Sequence, residues 1–385
     1  MLHNPTLTQP VDYASPASPA ETGLSPDGLQ NVQRLFEQMI ADGLHPGAQL
    51  VVLRHGRPAL NLACGTANER GRRPVTPATP YLVFSCTKPF TAACIHLLAE
   101  RGQLDYDAPI AAYWPAFGCK GKESATVRHA LLHQAGIPMR GMAAQLPLWP
   151  FWPLITRSVA NLPAEFAPGT QTAYHTVNFG WILGEVVRRV SGQPVHTFLE
   201  QNFLAPLGLR HTSMKLTPAL RRAAAGVYWG HAEQRAAARV FNIPAIRGAV
   251  IPAASLHSTA CDLAVFYQML INGGQYAGRP YLSPQTIQAA TSLHYEGYDA
   301  TIRHTLRWAM GFSLGGASPN AESGAQTFGE RSTVRTFGHP GQGTCITWAD
   351  PEASLVVAFT CNRLQESKTT RQRWKSLADA IWNCL

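Results

Sequence analysis

The chain has 385 residues, 45% hydrophobic and only 14% charged, which is enough apolar material for one large core or two and excludes a mostly disordered chain. Its formal charge of +9 is scattered in short pairs such as Arg72-Arg73, Arg188-Arg189 and Arg221-Arg222. Nucleic-acid binders gather such charge into a stripe and interleave aromatics with it, so no nucleic-acid partner is expected.

Residues 1–24 are rich in proline, serine and alanine and predict an extended arm. This start, MLHNPTLTQPVDYASPASPAETG, has neither the basic nor the apolar region of a signal peptide. Ser25-Pro26 opens a helix with an N-cap and a first-turn proline. Val32, Leu35, Phe36, Met39 and Ile40 form its stripe, and Gly43 ends it. Gln49–Leu53 and Leu60–Gly65 then flank a turn at His55-Gly56, predicting a hairpin. From Lys88 the spacing turns helical (Phe90, Ala93, Cys94, Leu97, Leu98) until Gly102. The middle is punctuated by prolines and predicts further helices, clearest over 178–190 and 260–271. Strands return at Ile346–Ala349 and Leu355–Cys361, around the turn Asp350-Pro351-Glu352-Ala353, and a helix over 368–385 closes the chain.

These elements predict an α/β (α+β) fold in which both chain ends build one antiparallel sheet flanked by helices. Residues 25–95 and 275–385 form the sheet domain, with a mainly helical lobe, 96–274, inserted between them. The active site is expected where the lobes meet. None of the eight cysteines makes a CxxC pair or zinc spacing, which suits a reducing compartment. No apolar run is long enough to span a bilayer. A soluble, cytoplasmic protein is expected, its oligomeric state open.

Three short motifs carry chemistry. In SCTK, Ser85 to Lys88, one helical turn separates hydroxyl from amine at the junction of an apolar segment and a helix. A neutral amine there can take the hydroxyl proton, and helix-start N–H groups stabilise developing negative charge. Alone, SxxK also describes a surface serine and lysine at a helix start. Tyr174, in AYHTVNFGW before the helix at 178, can share a proton with a lysine or simply pack. FGHPGQGT, Phe337 to Thr344, lets backbone approach a substrate closely or turns between strands. An N–H there, paired with that of Ser85, makes an oxyanion hole. Gly311-Phe312-Ser313-Leu314-Gly315 fits GxSxG, but its sequel GASPNAESGAQ cannot start the helix that motif needs, so Ser313 is expected in a strand. His129 and His133 share a predicted helix face without an HExxH glutamate, so no zinc is expected. The tract Leu146-Pro147-Leu148-Trp149-Pro150-Phe151-Trp152 walls either an apolar substrate pocket or a core.

Taken in this order, the motifs resemble those of the serine β-lactamase and DD-peptidase superfamily, nearest its class C-like esterases, the family VIII carboxylesterases. The resemblance runs from about Leu29 to the C-terminus and includes VRHALLHQAGIP, FAPGTQTAYH, FGWILGEVVRRVSGQP, HSTACDLAVF and FGHPGQGTCITWADPEASLVV. It implies Ser85 as nucleophile, Lys88 as general base and Tyr174 as proton relay. It also implies the N–H groups of Ser85 and Gln342 as the oxyanion hole and His339, Gly341 and Asn178 as substrate contacts; Trp149 and Trp152 join them as candidates from the aromatic tract alone, with core packing as the alternative. No metal or cofactor is implied, and the partner is a small ester. Two departures stand out. Thr176 occupies the place of the lactamases' asparagine, with Asn178 two residues on. His339 replaces the lysine that helps bind a carboxylate, and an ordinary histidine is mostly neutral at pH 7. Neutral esters are therefore expected over β-lactams and cell-wall peptides, the alternatives being a β-lactamase or DD-peptidase, an acyltransferase of the lovastatin-synthesis type, or a non-enzymatic penicillin-recognising or scaffold protein.

Overall fold

His55 and Gly56 both take positive φ, 52° and 74°, the geometry of a tight two-residue hairpin turn. They join β1 (Gly47–Arg54) to β2 (Arg57–Gly65). The computed structural model describes residues 9–68, 73–139, 141–316 and 327–385. Later strands are β3 (Tyr295–Asp299), β4 (His304–Ala309), β5 (Phe312–Leu314), β6 (Phe337–Gly341), β7 (Cys345–Asp350) and β8 (Leu355–Cys361). Together they make one eight-stranded sheet in the order β2-β1-β8-β7-β6-β5-β4-β3, antiparallel at every pairing. The helices that matter here are α1 (Pro26–Ala41), α2 (Lys88–Glu100), α3 (Trp152–Ala160), α4 (Asn178–Ser191), α5 (Ala260–Ile271) and α6 (Ser367–Trp382).

Alternation along the central strands sorts the core into two layers. Leu50, Val52, Val357 and Phe359 point to the side covered by Phe36 of α1 and by Trp374, Leu377 and Ile381 of α6. Val51, Leu53, Val356 and Ala358 point the other way, into a larger core shared with α2, α4 and α5. The predicted sheet from both chain ends, with helices on it, is the architecture found. Ser313 lies in β5, paired with Trp308 and Gly338, and no helix follows it among the described residues up to 316; the stretch GASPNAESGAQ falls mostly outside them.

Two local expectations differ. Over 9–24 the arm is not wholly extended: Ser18 N donates to Glu21 Oε2 at 2.8 Å, and this cap folds one helical turn, Pro19–Thr22. The arm also joins the body, Ala17 N donating to Pro58 O at 2.8 Å; residues 1–8 lie outside those described. His129 and His133 do not share a helix face, because that helix ends at Leu131 and His133 leaves it with φ of 61°. No helix among the described residues is long and apolar enough to cross a membrane.

α4 is fastened by a buried carboxylate. Glu185 accepts from Arg188 (2.7 and 2.8 Å), from Arg189 (2.7 Å) and from the Trp152 indole of α3 (2.8 Å). Burial raises its pKa, but these donors outweigh burial and hold it below the usual value. Glu185→Ala strands four donors, three of them on two half-exposed arginines, so a loss of about 1–3 kcal/mol is expected in urea unfolding.

Candidate active site

The segment before Ser85 is pinned on both sides. Tyr81–Leu82 pairs with His257–Ser258, and Val83 N donates to Leu256 O at 2.9 Å. Phe84 then takes φ of +43°, a strained value for a bulky residue. One 3₁₀ turn, Phe84–Thr87, feeds directly into α2. Residues three apart eclipse one another in such a turn. Ser85 and Lys88 therefore project together, with Oγ and Nζ hydrogen-bonded at 3.2 Å. The Thr87 hydroxyl locks the turn, donating to Phe84 O at 2.5 Å and accepting from Leu256 N at 3.1 Å.

Lys88 is fully buried, and burial holds its amine well below the usual lysine pKa. Among the described residues no carboxylate pairs with it. Instead Nζ donates to Thr176 O at 2.8 Å and to Ala253 O at 3.4 Å. A neutral amine has two N–H groups and one lone pair. Two carbonyls occupy the former, which leaves the lone pair for the hydroxyl of Ser85. The second carbonyl comes close because α4 has no side chain at Gly180: a Cβ there would lie 2.4 Å from Ala253 N.

Tyr174 precedes α4. Its backbone N donates to Asp299 Oδ1 at 3.1 Å, and its ring stacks on Trp308 at 5.8 Å and tilts against His133 at 4.6 Å. Lys88 Nζ stands 4.6 Å from the ring centroid. Burial raises the phenol pKa more than its hydrogen bond with Ser85 lowers it, so the group stays protonated. His133 Nδ1 accepts from His175 N at 3.1 Å; His175 donates from Nδ1 to Ala173 O at 2.6 Å and accepts at Nε2 from Ile137 N at 3.2 Å. Both rings are neutral, His133 held well below the usual value and His175 lowered to about 4, burial being the main cause.

β6 closes the other side. His339 donates from Nδ1 to Pro340 O at 2.6 Å, which leaves Nε2 a buried acceptor without a partner among the described residues. Burial, then the nearby Lys88, lowers its pKa to about 3. His339 is thus neutral throughout the physiological range. β6 is tied to the serine's segment by sulfur: Cys86 donates to His339 O at 2.9 Å and Cys345 to Val83 O at 2.8 Å. Gln342 follows with φ of 38°.

Ser85, Tyr174, His339 and Gln342 line one cavity of about 390 Å³. Leu306, Trp308, Leu314 and Phe328 give it apolar walls, and Ser313 also faces it. Two cations line it: Arg307, whose largely buried guanidinium bonds Gly315 O and Glu296, and Arg371, which is exposed. Arg331 donates to Trp382 O at 2.8 Å, and neither it nor Arg335 lines this cavity. Gly341 packs beneath it, against Val83 O. Three expected contacts lie elsewhere. Asn178 is buried and donates to Ile137 O at 2.8 Å, while Trp149 and Trp152 line a separate cavity. Reasoning from sequence also missed His133, His175, Asp299 and Trp308. For His175 the signal was adjacency to Tyr174; the others are distant in sequence and carry no local mark.

The Beta-lactamase family profile matches residues 32–381. The esterase/beta-lactamase LipL of Mycobacterium tuberculosis (strain ATCC 25618 / H37Rv) is 30% identical over 364 residues, covering 86% of this chain and 81% of the relative. Among solved structures, a penicillin-binding protein homolog from Caulobacter crescentus superposes with a TM-score of 0.79 at 30% identity, covering 94% of this chain and 99% of the other. A family VIII carboxylesterase superposes with a TM-score of 0.78 at 28% identity, again covering 94% and 99%.

Proposed function

Because this chain belongs to the beta-lactamase family, whose members are serine hydrolases, we propose that it is a carboxylesterase for small neutral esters, working through an acyl-enzyme on Ser85. The Ser85 hydroxyl gives its proton to the Lys88 lone pair as Oγ adds to the ester carbonyl. The N–H groups of Ser85 and Gln342 hold the oxyanion. The proton passes through the Tyr174 phenol to the departing alcohol, the C–O bond breaks, and the acyl group remains on Ser85. Water, losing its proton to the same base, then releases the acid and restores the hydroxyl.

The observation that carries this reading is the neutral, buried His339 at the place of the family's cation. With no cation at position 339, and with Arg307 already bonded to Glu296 and Gly315 O, the site forgoes a charge-assisted hydrogen bond to a substrate carboxylate, worth about 1.5–3 kcal/mol, or about 10–100-fold. The expected results are turnover of p-nitrophenyl butyrate and, by that factor, poorer turnover of a chromogenic cephalosporin. Equal turnover of both marks a lactamase instead, and partition of the acyl group to an added alcohol marks an acyltransferase.

A fluorophosphonate should label the peptide containing Ser85, and Ser313→Ala should retain full activity. Label on Ser313, or on neither serine, sinks the assignment.

A further inference from the structure

A second cavity, about 790 Å³, opens beside α3 and α4. It shares no lining residue with the cavity of Ser85. Three indoles wall it, those of Trp114, Trp149 and Trp152. Its volume is in the range of small-molecule sites, which combine apolar walls with a few placed polar groups.

The charges around it are one-sided. Arg157, Arg188, Arg189 and Lys215 line it against a single carboxylate, Glu185. That carboxylate is already engaged by Arg188, Arg189 and the Trp152 indole. Arg157 and Lys215 have no acidic partner among the described residues. Arg189 is fixed 5.8 Å above the Trp114 ring, and His196, also in the wall, has its pKa lowered by burial and then by nearby Lys215. Excess cations on a concave, low-dielectric surface concentrate anions. Apolar walls at the same place select an anion with a hydrophobic body.

We propose that this cavity is a second, non-catalytic binding site for an amphipathic monocarboxylate, whose alkyl or flat aromatic body lies against the three indoles and whose head group meets Arg157 and Lys215. The site stands independently of the esterase reading, since none of its residues belongs to the Ser85 cavity.

Laurate, kept below its micelle concentration, is titrated into Ser85→Ala protein and followed by calorimetry and tryptophan fluorescence. Saturable one-to-one binding with a change in indole emission is expected. The double substitution Arg157→Gln with Lys215→Gln should raise Kd by about tenfold or more. Introduced into the parent, the same pair should leave ester hydrolysis and Tm unchanged. Dodecyltrimethylammonium, with the same tail and the opposite charge, should bind at least about tenfold more weakly. Absence of saturable binding, undiminished laurate affinity in the double variant, or equal affinity for the cationic amphiphile overturns the proposal.

Discussion

Lys88→Ala is expected to lower kcat for p-nitrophenyl butyrate by about 10²–10⁴-fold, with KM changed little. The amine touches the nucleophile rather than the body of the substrate, so its loss falls on the chemical step. Adding Lys88→Ala to Ser85→Ala should cost almost nothing further, because residues acting as a unit are not additive. The parent's kcat/KM should fall as pH drops through the lysine's pKa, since a protonated amine has no lone pair. The midpoint lies well below that of an ordinary lysine, in keeping with the burial of Nζ. The same burial has a thermodynamic signature. The unfolded chain binds a proton on Lys88 that the folded state holds more weakly, so stability from this group rises with pH up to about 10.4, the pKa of an unburied lysine. Any gain in stability of Lys88→Met over the parent should therefore shrink as pH rises toward that value. A gap between the two melting curves that is constant with pH would show that Lys88 is not depressed.

Gly341→Ala should be nearly as damaging, by a different route. A Cβ at this position would lie 2.3 Å from Cys345 Sγ and 2.4 Å from Val83 O. One neighbour is the next strand of the sheet and the other is backbone two residues before the nucleophile. Overpacking of this kind costs about 1–3 kcal/mol, read as a shift of the urea midpoint. Separating β6 from Ser85 by about 1 Å should also lower kcat by about 100-fold, because misplacement of that order is felt directly in the reaction. Cys345→Ala removes the sulfur but not the Val83 oxygen, so the double variant should not recover. Full recovery would mean that the sulfur contact alone matters.

Much of the scaffold is written locally. The helices over 88–100, 178–191 and 260–271 follow from apolar spacing, and the hairpins follow from His55-Gly56 and the turn at 350–353. Ser85 and Lys88 meet because three positions of one chain turn meet. The remainder of the site is assembled from far apart. Trp308 stacks on Tyr174 across 134 positions in a sequence with no mark of that contact. His133 reaches the same ring only because its own φ is 61°. The Trp149–Trp152 tract shows the converse limit: composition signals an apolar wall, but not which of two cavities it walls. Asn178 is similar. Its position at a helix start reads as a reach toward substrate, whereas its amide is spent on Ile137 O.

β1 sits between β2 and β8, so Gln49 and Thr360, 311 positions apart, are partners in adjacent strands. On the ribosome the first hairpin therefore waits, one edge open, until residue 361 has emerged. Contacts so remote close slowly, and an open apolar edge invites association with other chains. Synthesis halted anywhere before Leu355 should yield a chaperone client rather than a smaller enzyme.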